Sequence, residues 1–80
     1  MEIQAGSLVY SKAGRDKAKL LLVLRTEGEY AYVADGDLRK VENPKKKKLK
    51  HLQKTNTKAD ISEPENFEVR NILAEYKPNN

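Results

Sequence analysis

Lys19-Leu20-Leu21-Leu22-Val23-Leu24-Arg25-Thr26 sets the class of fold. Its apolar core is far shorter than the roughly 20 residues a membrane span needs. Closed by a lysine on one side and Arg-Thr on the other, it reads as a strand apolar on both faces. Such a strand belongs at the centre of a small curled sheet. Upstream, Ser7 to Lys12 alternates weakly around Leu8 and Tyr10, after the turn-forming Ala5-Gly6. Downstream, Tyr30, Tyr32 and Val33 give Glu29 to Ala34 high β propensity. Asp35-Gly36 then predicts a tight hairpin turn, with Leu38 to Glu42 as the returning strand. Asn43-Pro44 breaks that strand, and Lys47 to Gln53 reads as a last, basic one. Short strands joined by tight turns imply a mainly β fold, a small curled barrel of about five strands rather than a sandwich.

The barrel signals occupy residues 1–54, and residues 55–80 read as a linker followed by a short helix. Thr55 to Ser62 is polar. Ser62-Glu63-Pro64-Glu65 has the spacing of a capping box, with proline tolerated in the first turn. Val69, Ile72, Leu73 and Tyr76 follow at helical spacing, and Pro78 stops the run. A helix of about twelve residues is too short to be stable alone, so its stripe must dock on a surface the sequence does not name. Because the strand signals end by Gln53, residues 1–56 are expected to fold without the helix.

Eighty residues make one small domain with little stability in reserve. The chain has no cysteine and one histidine, so disulfides, thiolate sites and multi-histidine zinc sites are excluded. No cofactor is called for. The N-terminus lacks the basic and apolar regions of a signal peptide, which points to a soluble, cytoplasmic protein. Residues 1–54 hold 13 Lys/Arg against 7 Asp/Glu, whereas residues 55–80 hold 3 against 5. The basic character therefore lies in the predicted barrel.

Its densest part runs from Arg39 to Lys54: Arg39, Lys40, Lys45, Lys46, Lys47, Lys48, Lys50 and Lys54, with His51 among them and Glu42 as the one acid. Such a cluster repels itself unless something anionic lies against it. Membrane-binding helices set their bases beside a large apolar face with Trp or Phe, which this segment lacks. Nucleic acid fits better. The lysine run also has two plainer readings, protection of a sheet edge and an import signal. Edge protection needs only one or two lysines, so the density favours phosphate. His51 could stack on a base or bond a phosphate, or sit half-buried in a strand. With no acid and hydroxyl near it in a nucleophile pattern, no catalytic role is expected.

A second candidate site is the loop Gly14-Arg15-Asp16-Lys17, flanked by Lys12 and Lys19. A glycine-centred loop can turn with positive φ and aim backbone N–H groups at phosphate; the plain alternative is a solvated turn. Tyr30 and Tyr32 share one strand face and could stack bases, but so small a core with one Phe and no Trp needs its tyrosines. Asp35-Gly36-Asp37 is too short for an EF-hand loop.

Gly6-Ser7-Leu8-Val9-Tyr10-Ser11-Lys12-Ala13-Gly14-Arg15-Asp16-Lys17-Ala18-Lys19, followed by Leu22-Val23-Leu24, resembles a KOW motif, the RNA-binding signature of many ribosomal and transcription-elongation proteins. Val33-Ala34-Asp35-Gly36 and Lys48-Leu49-Lys50-His51-Leu52 are similar to stretches of the large-subunit ribosomal protein family numbered fourteen-e. Together these cover roughly residues 3–54. The resemblance implies an SH3-like barrel, ribosomal RNA as partner, association with translation, and no enzymatic activity. The motif often has glycine where this chain has Ala18, which implies a looser turn there. The C-terminal helix matches nothing in that family. The expectation is a non-catalytic RNA-binding protein; the rival is an SH3-like interaction module whose basic flank and helix stripe meet an acidic partner.

Overall fold

In the computed structural model, which describes residues 2–78, the chain forms five strands and one α-helix. The strands are β1 (Ser7–Ser11), β2 (Leu20–Glu27), β3 (Tyr30–Ala34), β4 (Lys45–Lys48) and β5 (Leu52–Lys58), and the helix is α1 (Asn66–Glu75). All pair antiparallel in one sheet of order β4-β3-β2-β1-β5. The two edge strands are consecutive in the chain, joined by one turn of 3-10 helix, Leu49–His51. Laid flat, four inter-strand gaps would separate those edges by about 19 Å. The link from Lys48 to Leu52 spans at most about 14 Å even when extended. The sheet must therefore curl strongly. No ladder joins β4 to β5, so it remains open.

The two-sided run of β2 now has a physical cause. Leu21 and Val23 face the inside of the curl with Val9, Ala31, Val33 and Leu52. Leu22 points outward, where Leu8 and the fully buried Val69 of α1 cover it, with Leu20, Leu24, Val41, Ile72, Leu73 and Tyr76 packed around them. The helix stripe thus docks on the outer face of β1 and β2. It is part of the core rather than an appendage. Burying Val69 alone contributes about 1.5–3 kcal/mol.

Five expected features differ. Leu38 to Glu42 forms no strand; the chain from Asp35 to Pro44 is a loop, and Leu38 is 77% exposed. The cause is Asp35, whose Oδ1 accepts the N–H groups of Asp37 and Arg39, each at 2.8 Å, and so offers the backbone an alternative to a ladder. The tight turn expected at Asp35-Gly36 is absent for the same reason, and β3 pairs instead with β4 (Tyr30 opposite Lys48, Val33 opposite Lys45). The basic strand expected over Lys47 to Gln53 is divided by the 3-10 turn. The linker expected from Thr55 begins as strand, since β5 continues to Lys58 with Thr55 buried and its Oγ1 donating to the Leu8 carbonyl at 2.7 Å. The helix start lies at Glu65 rather than Ser62, where Glu68 Oε1 accepts the Glu65 N–H at 2.9 Å.

The first turn of α1 is clamped to the 35–44 loop. Asn66 Oδ1 accepts the Val41 N–H at 2.8 Å, and Arg70 Nη1 donates to the Gly36 carbonyl at 2.6 Å. Gly36 has φ +79°, and a Cβ there would collide with the Asn66 carbonyl and the Arg70 side chain. Glycine is what lets the helix approach this closely.

Candidate nucleic-acid interface

The β1–β2 loop turns back on itself through Gly14 at φ +79° and Ala18 at φ +72°. The Ala18 N–H donates to the Ser11 carbonyl at 2.7 Å, and the Lys19 N–H to the Asp16 carbonyl at 2.8 Å. The turn expected to be looser at Ala18 therefore keeps a left-handed conformation, at a steric cost of about 1–2 kcal/mol for a residue with a Cβ. Lys12, Gly14, Arg15 and Lys17 are all exposed on this loop.

Beneath it lies Asp16, only 4% exposed. Its Oδ2 accepts from Arg39 Nη2 at 3.1 Å and Nε at 3.3 Å, and Lys47 Nζ lies 3.5 Å away. A second carboxylate, Asp35, accepts from Lys19 Nζ at 2.6 Å. Burial alone would push both groups up. For Asp16 the hydrogen bond and charge of Arg39, with Lys47 and Lys19 behind, outweigh burial and hold the carboxyl below its ordinary value. For Asp35 the Lys19 hydrogen bond and the N–H groups of Asp37 and Arg39 do the same. Both acids are ionised at neutral pH, and together they tie the β1–β2 loop, the 35–44 loop and β4 into one unit.

The candidate residues therefore divide in two. Lys19, Arg39 and Lys47 are engaged with buried carboxylates, and the Lys47 side chain is only 9% exposed. Lys12, Arg15, Lys17, Lys45, Lys46, Lys48, Lys50 and His51 are exposed, and Lys54 is half-buried opposite Val9. Lys40 is exposed and donates to the Asp37 carbonyl at 3.0 Å. The Lys12 N–H donates to the His51 carbonyl at 2.8 Å, and Lys47 Nζ lies 3.6 Å from where a Gly14 side chain would begin. Hence the glycine loop lies beside the Lys47 side chain and the end of the 3-10 turn, and the start of that turn reaches the β2–β3 turn, where the Leu49 N–H donates to the Glu29 carbonyl at 2.8 Å. His51 sits on that turn and not half-buried in a strand. β4 is an edge strand, so its lysines also suit the plainer role of edge protection.

One further cation was not apparent from the sequence. A register shift in β2 between Val23 and Arg25 turns Arg25 onto the outer face opposite Tyr32. Its guanidinium lies 4.0 Å from the Tyr32 ring centroid, and Lys46 Nζ lies 4.3 Å from that of Tyr30. Arg25 stands outside the basic cluster, and only the ladder brings it to the tyrosines. Among the described residues, no group of His, Asp and Glu could hold a metal ion, and no helix is long and apolar enough to cross a membrane. Compared with known proteins, the chain matches no family model and no curated relative.

Proposed function

We propose that this protein is a non-catalytic RNA-binding domain of the SH3-like, KOW type that grips structured RNA, with ribosomal RNA the first candidate. The observation that carries the reading is the convergence of Lys12, Arg15 and Lys17 with the Lys48–His51 corner, with Asp16 and Asp35 turned inward and the exposed Glu29 at the rim. Asp16 and Asp35 are themselves buried and their charges are met by Lys19, Arg39 and Lys47, which leaves Lys12, Arg15 and Lys17 without a paired carboxylate among the described residues. Exposed ammonium and guanidinium groups would neutralise phosphates and release counterions. Gly14 and the backbone around it would shape the contact. Lys19, Arg39 and Lys47 then serve as framework, holding the loop in place through Asp16 and Asp35. An edge-to-edge link of one 3-10 turn, with the glycine-bearing loop between the first two strands, supports the KOW-type barrel. A cytoplasmic place beside the translation apparatus follows from the same reading.

An acidic protein partner is the rival. It relied in part on an unoccupied helix stripe, and that stripe packs on β1 and β2. RNA is accordingly the better-supported ligand. The test is an anisotropy titration of a structured RNA hairpin with wild type and the Lys12→Gln/Arg15→Gln/Lys17→Gln variant. The expected result is weaker binding with a salt slope shallower by about two to three units, one per lost phosphate contact. Equal affinity and slope in both proteins would move the interface off the loop.

A further inference from the structure

The outer face of the sheet is covered by α1 only over β1 and the first half of β2. Beyond the register shift, β2, β3 and β4 present two rows across three strands. The first reads Arg25, Tyr32, Lys46; the second reads Glu27, Tyr30, Lys48. The rows are two residues apart along each strand, roughly 6.8 Å. Each ring is half-buried and held: Arg25 lies over Tyr32, Lys46 over Tyr30, and the Tyr32 hydroxyl donates to Glu27 Oε1 at 3.1 Å.

We propose that this face is a second contact surface, which takes an unpaired nucleotide of single-stranded RNA by stacking its base on the Arg25 guanidinium. The proposal rests on the RNA-binding reading above and adds an adjoining surface to it, with Lys46 and Lys48 on the shared border. A guanidinium 4.0 Å from a ring centroid lies against that ring, and Arg25 is exposed, so a base can approach it from solvent. Unpaired bases stack on such planes as readily as on aromatic rings. Tyr32 fixes the plane beforehand, which lowers the ordering cost of binding. Lys46 and Lys48 stand beside it on the same face, placed to meet the phosphates that flank the base. An acidic peptide could pair its carboxylates with those ammonium groups and with the guanidinium edge, but it has no use for the guanidinium face, so a face set beside phosphate-binding groups favours nucleic acid.

The probe is a short labelled oligouridine compared with the same backbone carrying abasic positions, with duplex RNA as reference and a thermal melt of each protein alongside. Wild type is expected to prefer the uridine strand by about five-fold or more, the scale of one stacked base. Arg25→Lys keeps the charge and loses the plane, so the preference should fall to near unity with the salt slope unchanged. Tyr32→Phe keeps the ring and should keep the preference. The proposal is overturned if wild type binds uridine and abasic strands alike, if Arg25→Lys retains the preference, or if polyglutamate displaces oligouridine as well as unlabelled oligouridine does. Duplex binding without base preference defeats this surface alone. No binding to duplex or single strand defeats the RNA reading itself.

Discussion

Asp16→Asn tests the framework role of the buried carboxylate. The change keeps the shape and one acceptor oxygen but removes the charge that Arg39 and Lys47 face. At the 3.5 Å separation of Lys47 Nζ from Asp16, the Coulomb attraction at an effective dielectric of 20 is about 5 kcal/mol before desolvation is subtracted. Desolvation of the buried pair takes back a large part of this. Arg39 can swing toward water, but Lys47 is nearly enclosed and would be left without a counter-charge. A net loss of about 2–3 kcal/mol follows, against a total of about 4–12 kcal/mol for a domain this size. In a circular-dichroism melt at pH 7 that corresponds to a fall of roughly 8–20 °C. The pH dependence gives a second reading. Folding lowers both carboxyls, so their stabilisation is complete above the unfolded value of about 3.9 and is lost as pH falls through the folded values. Wild type should lose melting temperature below about pH 4, and Asp16→Asn should lose less, with Asp35 and Glu42, whose carboxyl the Asn66 amide also holds down, supplying the remainder. A variant that melts within about 2 °C of wild type at pH 7, or that keeps the full acid slope, would refute the framework role.

Three further outcomes follow from the backbone and the core. Ala18→Gly should stabilise the protein by about 0.5–1 kcal/mol in a denaturant titration, because relief of the left-handed strain exceeds the entropy that glycine adds to the unfolded chain; no gain would mean Ala18 is unstrained. Gly14→Val should weaken RNA binding and cost about 1–3 kcal/mol through strain at positive φ, with surface charge unchanged; wild-type affinity and melting would mean this loop does not shape the contact. Val69→Ala should cost about 1.5–3 kcal/mol in the same titration, and cutting the chain after residue 60 should cost more; a fully stable truncated sheet would contradict the packing of α1 on Leu8 and Leu22.

The fold was legible where a side-chain period met a strong propensity. Leu20 to Leu24 announced a strand dry on both faces, and the Val69–Tyr76 stripe announced a helix that must dock. That each explains the other could not be read from either alone. Lys45 to Lys48 has no hydrophobic period, so only pairing with β3 makes it a strand. Leu38 to Glu42 reads as a returning strand because it follows the Asp35-Gly36 turn signal, yet the Asp35 carboxylate captures the backbone donors of Asp37 and Arg39. The candidate site was half legible for a related reason. Charge density identified the cations but not which of them face carboxylates inside the fold. Asp16 looked like any loop acid; a single acid among Lys12, Arg15, Lys17 and Lys19 was the signal that it is held by them or their neighbours. Arg25 gave no signal, because its partner Tyr32 is brought opposite only by the ladder and its irregularity.

The most direct measurement is the salt dependence of wild-type binding to duplex RNA, followed by anisotropy over a range of potassium chloride concentrations. Seven exposed lysines and arginines surround the Gly14 loop and the β4 corner: Lys12, Arg15, Lys17, Lys45, Lys46, Lys48 and Lys50. If four to six of them meet phosphates, log affinity should fall against log salt with a slope of about −3 to −5. A flat response, or no binding at low salt, would contradict recognition of RNA through this surface.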